Sequence, residues 1–288
     1  MRVPGRFPVA AVILAAGAVS TLAPVAWILE SSLKTQADLT LGRLLPQALH
    51  FGNFAAVMRV LPFALYYRNS VLVAVITTLA VLLTSALAGF SLAKYRFRGR
   101  AGVFGLILAT MMLPNFVFYV PIYYMLRRAP LFGGNAITGA GGSGLLDSLA
   151  ALILPYVVSA WGVFMLRQSM LALPDDLLDA ARMDGASELR LWWQVAVPLS
   201  APALVTVAVF TFITQWNNFF WPLIVSTSYP STMTLPVGLQ YLQTTLSPTS
   251  NEQLILAGLV IGMIPASLVF LVFQRYYVAG ITLGSIRE

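Results

Sequence analysis

Cysteine is absent from the 288-residue chain, so neither a disulfide framework nor thiolate chemistry is open to it. Histidine occurs once, at His50, with no second His and no Cys to complete a metal set; a solvated loop residue is the reading that fits it. Charge is scarce. The 10 acidic and 17 basic residues amount to 9% of the chain, where a soluble domain carries about a quarter. In their place stand 59% apolar residues and a mean hydropathy of +0.83. A water-soluble fold of this composition would expose too much apolar surface, which leaves a polytopic membrane protein. At roughly 20 residues per helical span plus a connection, the length admits about six to eight spans.

A charge at the bilayer centre costs a few kcal/mol, so uncharged intervals mark the spans. Such intervals lie between Arg6 and Glu30, Arg68 and Lys94, Arg100 and Arg127, Asp147 and Arg167, and Glu252 and Arg275. The longer gap from Arg190 to Glu252 holds one apolar run, then turns rich in Ser, Thr, Pro and Gln after residue 226. The expected architecture is therefore all-α: a single transmembrane helical bundle over residues 1–288, with six spans near 8–29, 69–92, 102–125, 148–168, 200–225 and 254–274. These runs are too long for barrel strands and lack their alternation. Pro24, Pro114, Pro121, Pro155, Pro222 and Pro265 are expected to kink the spans that hold them. The first run lacks a clean small-residue cleavage site and reads as an uncleaved span.

Six spans put both termini on one side. Placing them inside leaves 11 basic residues on the inner side, including Lys94, Arg96, Arg98 and Arg100, against 6 outside. Both termini are thus expected in the cytoplasm. The formal charge of +7 then belongs to loops at an anionic leaflet, and no nucleic-acid partner is implied. The glycine-rich 131–144, "LFGGNAITGAGGSG", lacks the Gly-Lys-Ser/Thr ending of a phosphate loop and reads as a flexible linker. No Asp, Glu, Lys or Arg falls at depth in a span. Ion-coupled carriers usually need one there, so energy for uphill transport must come from a partner.

Eight of the charges crowd into residues 167–190: Arg167, Asp175, Asp176, Asp179, Arg182, Asp184, Glu188 and Arg190. In this loop, about 170–199, Pro174 and the first carboxylates open a helix whose positive dipole end they face. It is expected to stop at Asp184-Gly185, where glycine takes the left-handed conformation, and a second helix follows to Pro198. Leu177, Leu178 and Ala181 give the first helix an apolar stripe. A membrane-surface helix favours Lys and Arg on its polar face, whereas this one is acidic, so docking to a protein is the better reading.

"DAARMDGASELRLWWQVAVPLSAP" resembles the cytoplasmic EAA loop of binding-protein-dependent ABC importer permeases. The pattern falls on Asp179, Ala180, Ala181, Asp184, Gly185, Ala186, Trp192, Val195, Val197, Pro198 and Pro202, with Asp179 where the family has Glu. "YRNSVLVAVITTLAVLLTSALAGFSLAKYRFRGR", "QWNNFFWPLI", "TLPVGLQ" and the ending "IPASLVFLVFQRYYVAGITLGSIRE" are similar to the carbohydrate branch, and closest to the smaller, six-span permease of maltose-type importers. The resemblance implies a non-catalytic subunit in a bacterial or archaeal inner membrane, importing a sugar or oligosaccharide. It implies a second, homologous permease, an extracytoplasmic solute-binding protein, and an ATPase dimer that binds ATP and Mg; this chain needs no cofactor. Asp175, Asp176, Asp179, Ala180, Ala181, Asp184, Gly185 and Ala186 would then couple to the ATPase. Thr232, Leu235, Pro236 and Gly238 would form the tip of a loop that reaches the binding protein.

A path for hydroxyl-rich solutes needs amides and aromatic faces. The fifth span supplies Thr211, Thr214, Gln215, Trp216, Asn217, Asn218 and Trp221, with Gln215, Asn218 and Pro222 on one helical face and Thr214, Asn217 and Trp221 on another. Packing of the bundle through the same amides is the competing reading. Gly258 and Gly262 form a Gly-x-x-x-Gly pair that suits close helix approach. The alternatives are the same machine with a non-sugar cargo, such as a glycerol phosphodiester or polyol, and a non-transport membrane assembly subunit.

Overall fold

The computed structural model describes residues 7–146, 148–226, 228–246 and 248–283. Arg2, Arg6 and Arg287, counted above toward the inner side, and Asp147, which bounds one interval, lie outside the described residues. The described secondary structure is entirely helical. The described residues pack as two units, one of those up to 64 with 235–264 and one of 65–234 with those from 265 on.

The first unit contains α1 (Phe7–Ser31), α2 (Gln36–Thr40), α3 (Gly52–Val60) and α14 (Leu235–Thr245). Helix α1 is apolar all round, and its hydrophobic stretch buries nothing against this chain, as befits a helix solvated by lipid or a partner. After it the chain turns around Lys34, which is 2% exposed. The ammonium pairs with Glu30 at 2.8 Å and donates to the carbonyls of Arg43 (2.7 Å) and Leu44 (3.1 Å), which satisfies the charge that burial would otherwise penalise. Thr35 and Asp38 form a capping box on α2, and Arg43 holds Asp38 at 2.7 Å. Gly258 and Gly262 meet Leu239, and a Cβ at Gly258 would stand 2.8 Å from the Leu239 Cδ2. Close packing is what this pair provides. His50 is exposed, in the connection before α3.

Helix α4 (Phe63–Lys94) runs unbroken for 32 residues. In the second unit follow α5 (Arg100–Met111), a 3₁₀ turn (Asn115–Phe118) and α6 (Tyr119–Arg127), then α7 (Leu149–Ile153), a 3₁₀ turn (Leu154–Tyr156) and α8 (Ala160–Leu171). The charged loop holds α9 (Asp175–Met183) and α10 (Glu188–Leu191), and a π turn (Trp192–Ala196) leads into α11 (Val197–Leu199). Then come α12 (Ala201–Trp216) and α13 (Phe220–Ser226), while α15 (Pro248–Leu283) runs from the first unit, up to residue 264, into the second.

Among the described residues, three helices are long and apolar enough to cross a membrane: Val9–Ser31, Phe63–Lys94 and Asn251–Gln274. Three bent helix pairs are long and apolar enough only when taken together, each a broken span or a re-entrant loop: 100–111 with 115–127 (96°), 149–156 with 160–171 (45°), and 188–199 with 201–216 (79°). The expected spans 102–125, 148–168 and 200–225 are thus not single helices. Pro114 and Pro155 sit at breaks, as expected. Pro24 and Pro265 lie inside helices that continue through them. The break at 217–219 has no proline; Asn217 and Asn218 stand there, side chains that compete with the backbone for its own hydrogen bonds.

The glycine-rich segment is an ordered loop and not a flexible linker. Asn135, 7% exposed, donates to the carbonyls of Arg127 (2.7 Å) and Ala129 (3.1 Å) and accepts from the Gly142 amide at 2.7 Å. Backbones approach so closely that a Cβ on Gly142 would meet the Gly133 carbonyl and one on Gly144 the Leu126 carbonyl. Glycine is there to let stretches of backbone touch.

Candidate functional site

Two features of the second unit bring the expected residues together. The first is the charged loop. Helix α9 begins after Pro174, in extended conformation at the N-cap, with Asp175 and Asp176 in its first turn where carboxylates oppose the dipole. It ends as the sequence predicts. Gly185 adopts φ +80°, its amide bonds to the Arg182 carbonyl, and the Ala186 amide bonds to the Ala181 carbonyl, each at 3.0 Å. That is a Schellman ending. Ser187 then caps α10 by accepting from the Arg190 amide.

Arg182 fixes the angle between the two helices, holding Asp179 at 2.8 Å and Glu188 at 2.9 Å. Leu178, Leu191 and Trp192 pack into the core formed by Phe90, Ala93, Leu166 and Met170. Of the expected stripe, Leu178 is buried and Ala181 half-buried, while Leu177 is exposed. The helix turns Leu177 toward the face it shares with the acidic residues. Asp176, Asp179, Ala180, Asp184 and Gly185 are exposed and Ala186 is half-buried. Beside them Met183 is 88% and Trp193 62% exposed, an apolar–acidic surface the sequence reading did not single out.

Two residues at the end of α4 engage the loop. Lys94 Nζ reaches Asp175 at 2.6 Å and the Leu173 carbonyl at 2.7 Å. The Tyr95 hydroxyl donates to Glu188 at 2.7 Å. Lys94 holds the Asp175 carboxyl below its usual range, and Arg182, then Tyr95, do the same for Glu188. Burial first, and then Glu188, push the Tyr95 phenol up to about 12. The second helix does not stop at Pro198 as expected. It continues to Leu199, and the turn to α12 comes at Ser200. The π turn ends two residues before Pro198 and includes Gln194, whose carbonyl, four residues back, an α geometry would set against the proline ring.

The second feature is an open cavity of ≈ 970 Å³, within the range that accepts drug-sized ligands. Three breaks of the unit border it: Leu113 and Pro114, Val158 and Ser159, and Asn217 to Phe219. Irregular backbone at membrane depth is tolerated where it lines such a space. Thr214, Gln215, Asn217, Asn218 and Trp221 are all in its wall, with Thr211, Tyr119, Tyr156 and Trp161. None of its lining residues is Asp, Glu, Lys, Arg or His. The break at 217–219 overturns the two helical faces drawn above, since no continuous helix joins Gln215 to Pro222. The residues meet by another route. Asn218 donates to Gln215 at 3.3 Å and pairs with Tyr156, which also pairs with Tyr119. Trp221 is fully buried and donates to the Ala151 carbonyl at 3.0 Å, so it braces the wall instead of presenting its ring face.

The expected tip of the 226–253 loop is not a tip. Thr232, Leu235 and Gly238 are buried and Pro236 is half-buried. The Asn69 side chain ties the preceding turn down by donating to the carbonyls of Ser231 and Met233, both at 2.9 Å. Apolar Met233, Leu235 and Val237 prefer the interior; the exposed positions of the turn are Ser228, Pro230 and Ser231.

Residues 83–283 match the family described as "binding-protein-dependent transport system inner membrane component". The chain is 35% identical over 274 residues to an arabinooligosaccharides transport system permease protein of Bacillus subtilis, covering 92% of this chain and 90% of the relative. It is 33% identical over 288 residues to a sulfoquinovosyl glycerol transport system permease protein of Agrobacterium fabrum, covering 99% and 94%. Among solved structures, a chain of a bacterial ABC transporter involved in the import of the acidic polysaccharide alginate superposes with a TM-score of 0.78 at 26% identity. The match covers 93% of this chain and 95% of that one.

Proposed function

The chain belongs to the family of inner-membrane components of binding-protein-dependent transport systems, and from that premise we propose that it is the permease subunit of an ATP-driven importer for a sugar or oligosaccharide. The observation that carries the proposal is the cavity. It offers amides, hydroxyls and aromatic rings, with no carboxylate and no basic side chain, which suits a neutral, hydroxyl-rich solute. Of the cargoes named for the relatives, arabinooligosaccharides fall in that neutral class, whereas sulfoquinovosyl glycerol and the acidic polysaccharide alginate are hydroxyl-rich but anionic.

In this reading the 173–191 loop is cytoplasmic, as are both termini, and it seats in an ATPase dimer that binds ATP and Mg. Asp176, Asp179, Ala180, Asp184, Gly185 and Ala186 line the contact, with Met183 and Trp193 as apolar anchors, and Asp175 stays bound to Lys94. A second permease completes the translocation pathway. A solute-binding protein delivers cargo to the opposite face, where the exposed Ser228, Pro230 and Ser231 take the place of the buried tip.

Co-purification from native membrane in mild detergent tests the assembly, with an ATPase, a second permease and a solute-binding protein as the expected partners. The recovered binding protein is then screened for saccharide binding, and Asn218→Leu is expected to raise the KM for uptake of that saccharide about fivefold, the lost hydrogen bond to a solute being worth roughly 1 kcal/mol. A chain that purifies alone, or an unchanged KM, removes the corresponding part of the reading.

A further inference from the structure

We propose that Lys94 and Tyr95 are positioning residues for transport: they clamp the 173–191 loop to α4 so that displacement of the loop is delivered to the wall of the cavity. The inference rests on the reading of that loop as the ATPase contact.

Two consecutive residues hold the first residue of each helix in the loop. Lys94 takes Asp175 at the start of α9, and Tyr95 takes Glu188 at the start of α10. Arg182 locks the two helices to one another, so the loop moves as one piece. The Asp175 carboxylate is 77% exposed, so the ion pair by itself is worth little; the attachment rests on how the α4 end is held. The Lys94 side chain is 6% exposed, its ammonium also serves the Leu173 carbonyl, and the Tyr95 ring packs edge-on against Phe90.

Beyond the clamp lies the 32-residue helix that has no break. Ten residues before Lys94, about 15 Å along the axis, the Thr84 hydroxyl donates to the Val157 carbonyl at 2.8 Å. Val157 opens the break before α8, whose next residues, Val158 and Ser159, border the cavity. Between these two points α4 and α8 cannot slide apart freely. A Cβ on Gly89 would lie 2.9 Å from the Arg167 amide nitrogen, and one on Gly162 would lie 2.5 Å from Ser85 Oγ. Arg167 Nε also donates to the Leu92 carbonyl at 3.2 Å. The sequence loop–Lys94/Tyr95–α4–Thr84–Val157 is therefore continuous, rigid in its middle and bonded at both ends. Rigid elements of this kind carry coupling only if both ends bias the same motion, and that is what the experiment must decide.

The complete transporter, with its ATPases, second permease and binding protein, is reconstituted in vesicles, and uptake and ATP hydrolysis are measured on the same sample. Tyr95→Phe keeps the ring and loses one hydrogen bond; Thr84→Val keeps the volume and loses the other, at a site remote from the ATPase contact. Each is expected to retain ATPase association and hydrolysis while the solute moved per ATP falls about fivefold or more, the lower end of ordinary coupling energies. The double variant is expected to be no worse than the poorer single, because both cut one path. A native ratio in either single variant overturns the proposal, as does multiplicative loss in the double, which marks two independent braces. Loss of ATPase association in Tyr95→Phe overturns it too, since the clamp would then serve docking alone. If the unaltered chain does not associate with an ATPase, it is the reading of the loop that fails.

Discussion

Gly185 offers the sharpest separation of backbone from partner. A Cβ built there meets nothing within 4 Å, although φ is +80°. Within this chain a side chain at 185 therefore costs only the left-handed backbone, about 1 kcal/mol for alanine, or a fivefold shift in the local equilibrium. Burial of Leu178 and Leu191 on either side of the turn, worth roughly 1.5–3 kcal/mol each, outweighs that cost and keeps the loop folded. Gly185→Ala, Gly185→Asn and Gly185→Leu are compared for membrane insertion, co-purification with the ATPase and uptake. Asparagine accepts the left-handed region better than alanine but is larger. If a partner surface closes over residue 185, uptake falls in order of size, alanine above asparagine above leucine, with insertion unchanged. If only the turn matters, asparagine outperforms alanine. Native uptake by all three, at native expression, refutes the placement of Gly185 in a contact.

Gly89→Ala is expected to destabilise the protein by about 1–3 kcal/mol, because the intruding contact is the Arg167 backbone and not a pliant side-chain tip; thermal unfolding in detergent reads this against Gly105→Ala, whose Cβ meets nothing. Asn135→Ala leaves the Arg127 and Ala129 carbonyls and the Gly142 amide without their partner, at about 1–3 kcal/mol for each group that stays buried, and amide exchange in residues 129–145 should accelerate at least tenfold. The Tyr95–Glu188 tether has a defined pH window. Glu188 titrates below its ordinary 4.5, so its contribution is complete above that value and is lost as pH falls through the lowered one. Tyr95 is pushed up from 10.0 to about 12, so its contribution holds below 10.0 and is lost as pH rises through about 12. Carbon-13 labelling of tyrosine should find Tyr95 neutral at pH 10.5; ionisation there would contradict the hydrogen bond to Glu188.

Charge, the costliest thing to place in a bilayer, drew the long helices well: Phe7–Ser31 against 8–29, and Phe63–Lys94 around 69–92. The loop was equally legible, because a stop at Asp184-Gly185 needs only local chemistry, an absent Cβ and two free carbonyls. The breaks were not. Proline marks where an amide is missing, and Pro24 and Pro265 pass without a break, whereas Asn217–Phe219 interrupts its helix with none. What decides is whether the freed backbone groups face a polar space, and no window of sequence reports that. Glycines 133–144 misled for the same reason. Their number suggests slack, but the three bonds of Asn135 gather residues six to eight positions away, which only the folded chain displays. In the sequence Lys94 reads only as one of the basic residues that set orientation and Tyr95 carries no signal, and their contacts with residues 81 and 93 positions away leave no local trace.

A space walled by interrupted helices is a wet one. Where a helix stops, amides and carbonyls lose their intrahelical partners, and three such stops, together with Thr, Asn, Gln and Tyr side chains, line the cavity with groups that water can satisfy. A hydroxylated solute entering it exchanges one set of hydrogen bonds for another of similar worth. The net gain is small by construction. On the proposed reading of the cavity as a solute path, selectivity would come from shape and from stacking on rings and occupancy would stay brief, as suits a site that binds well enough to be entered and poorly enough to be left.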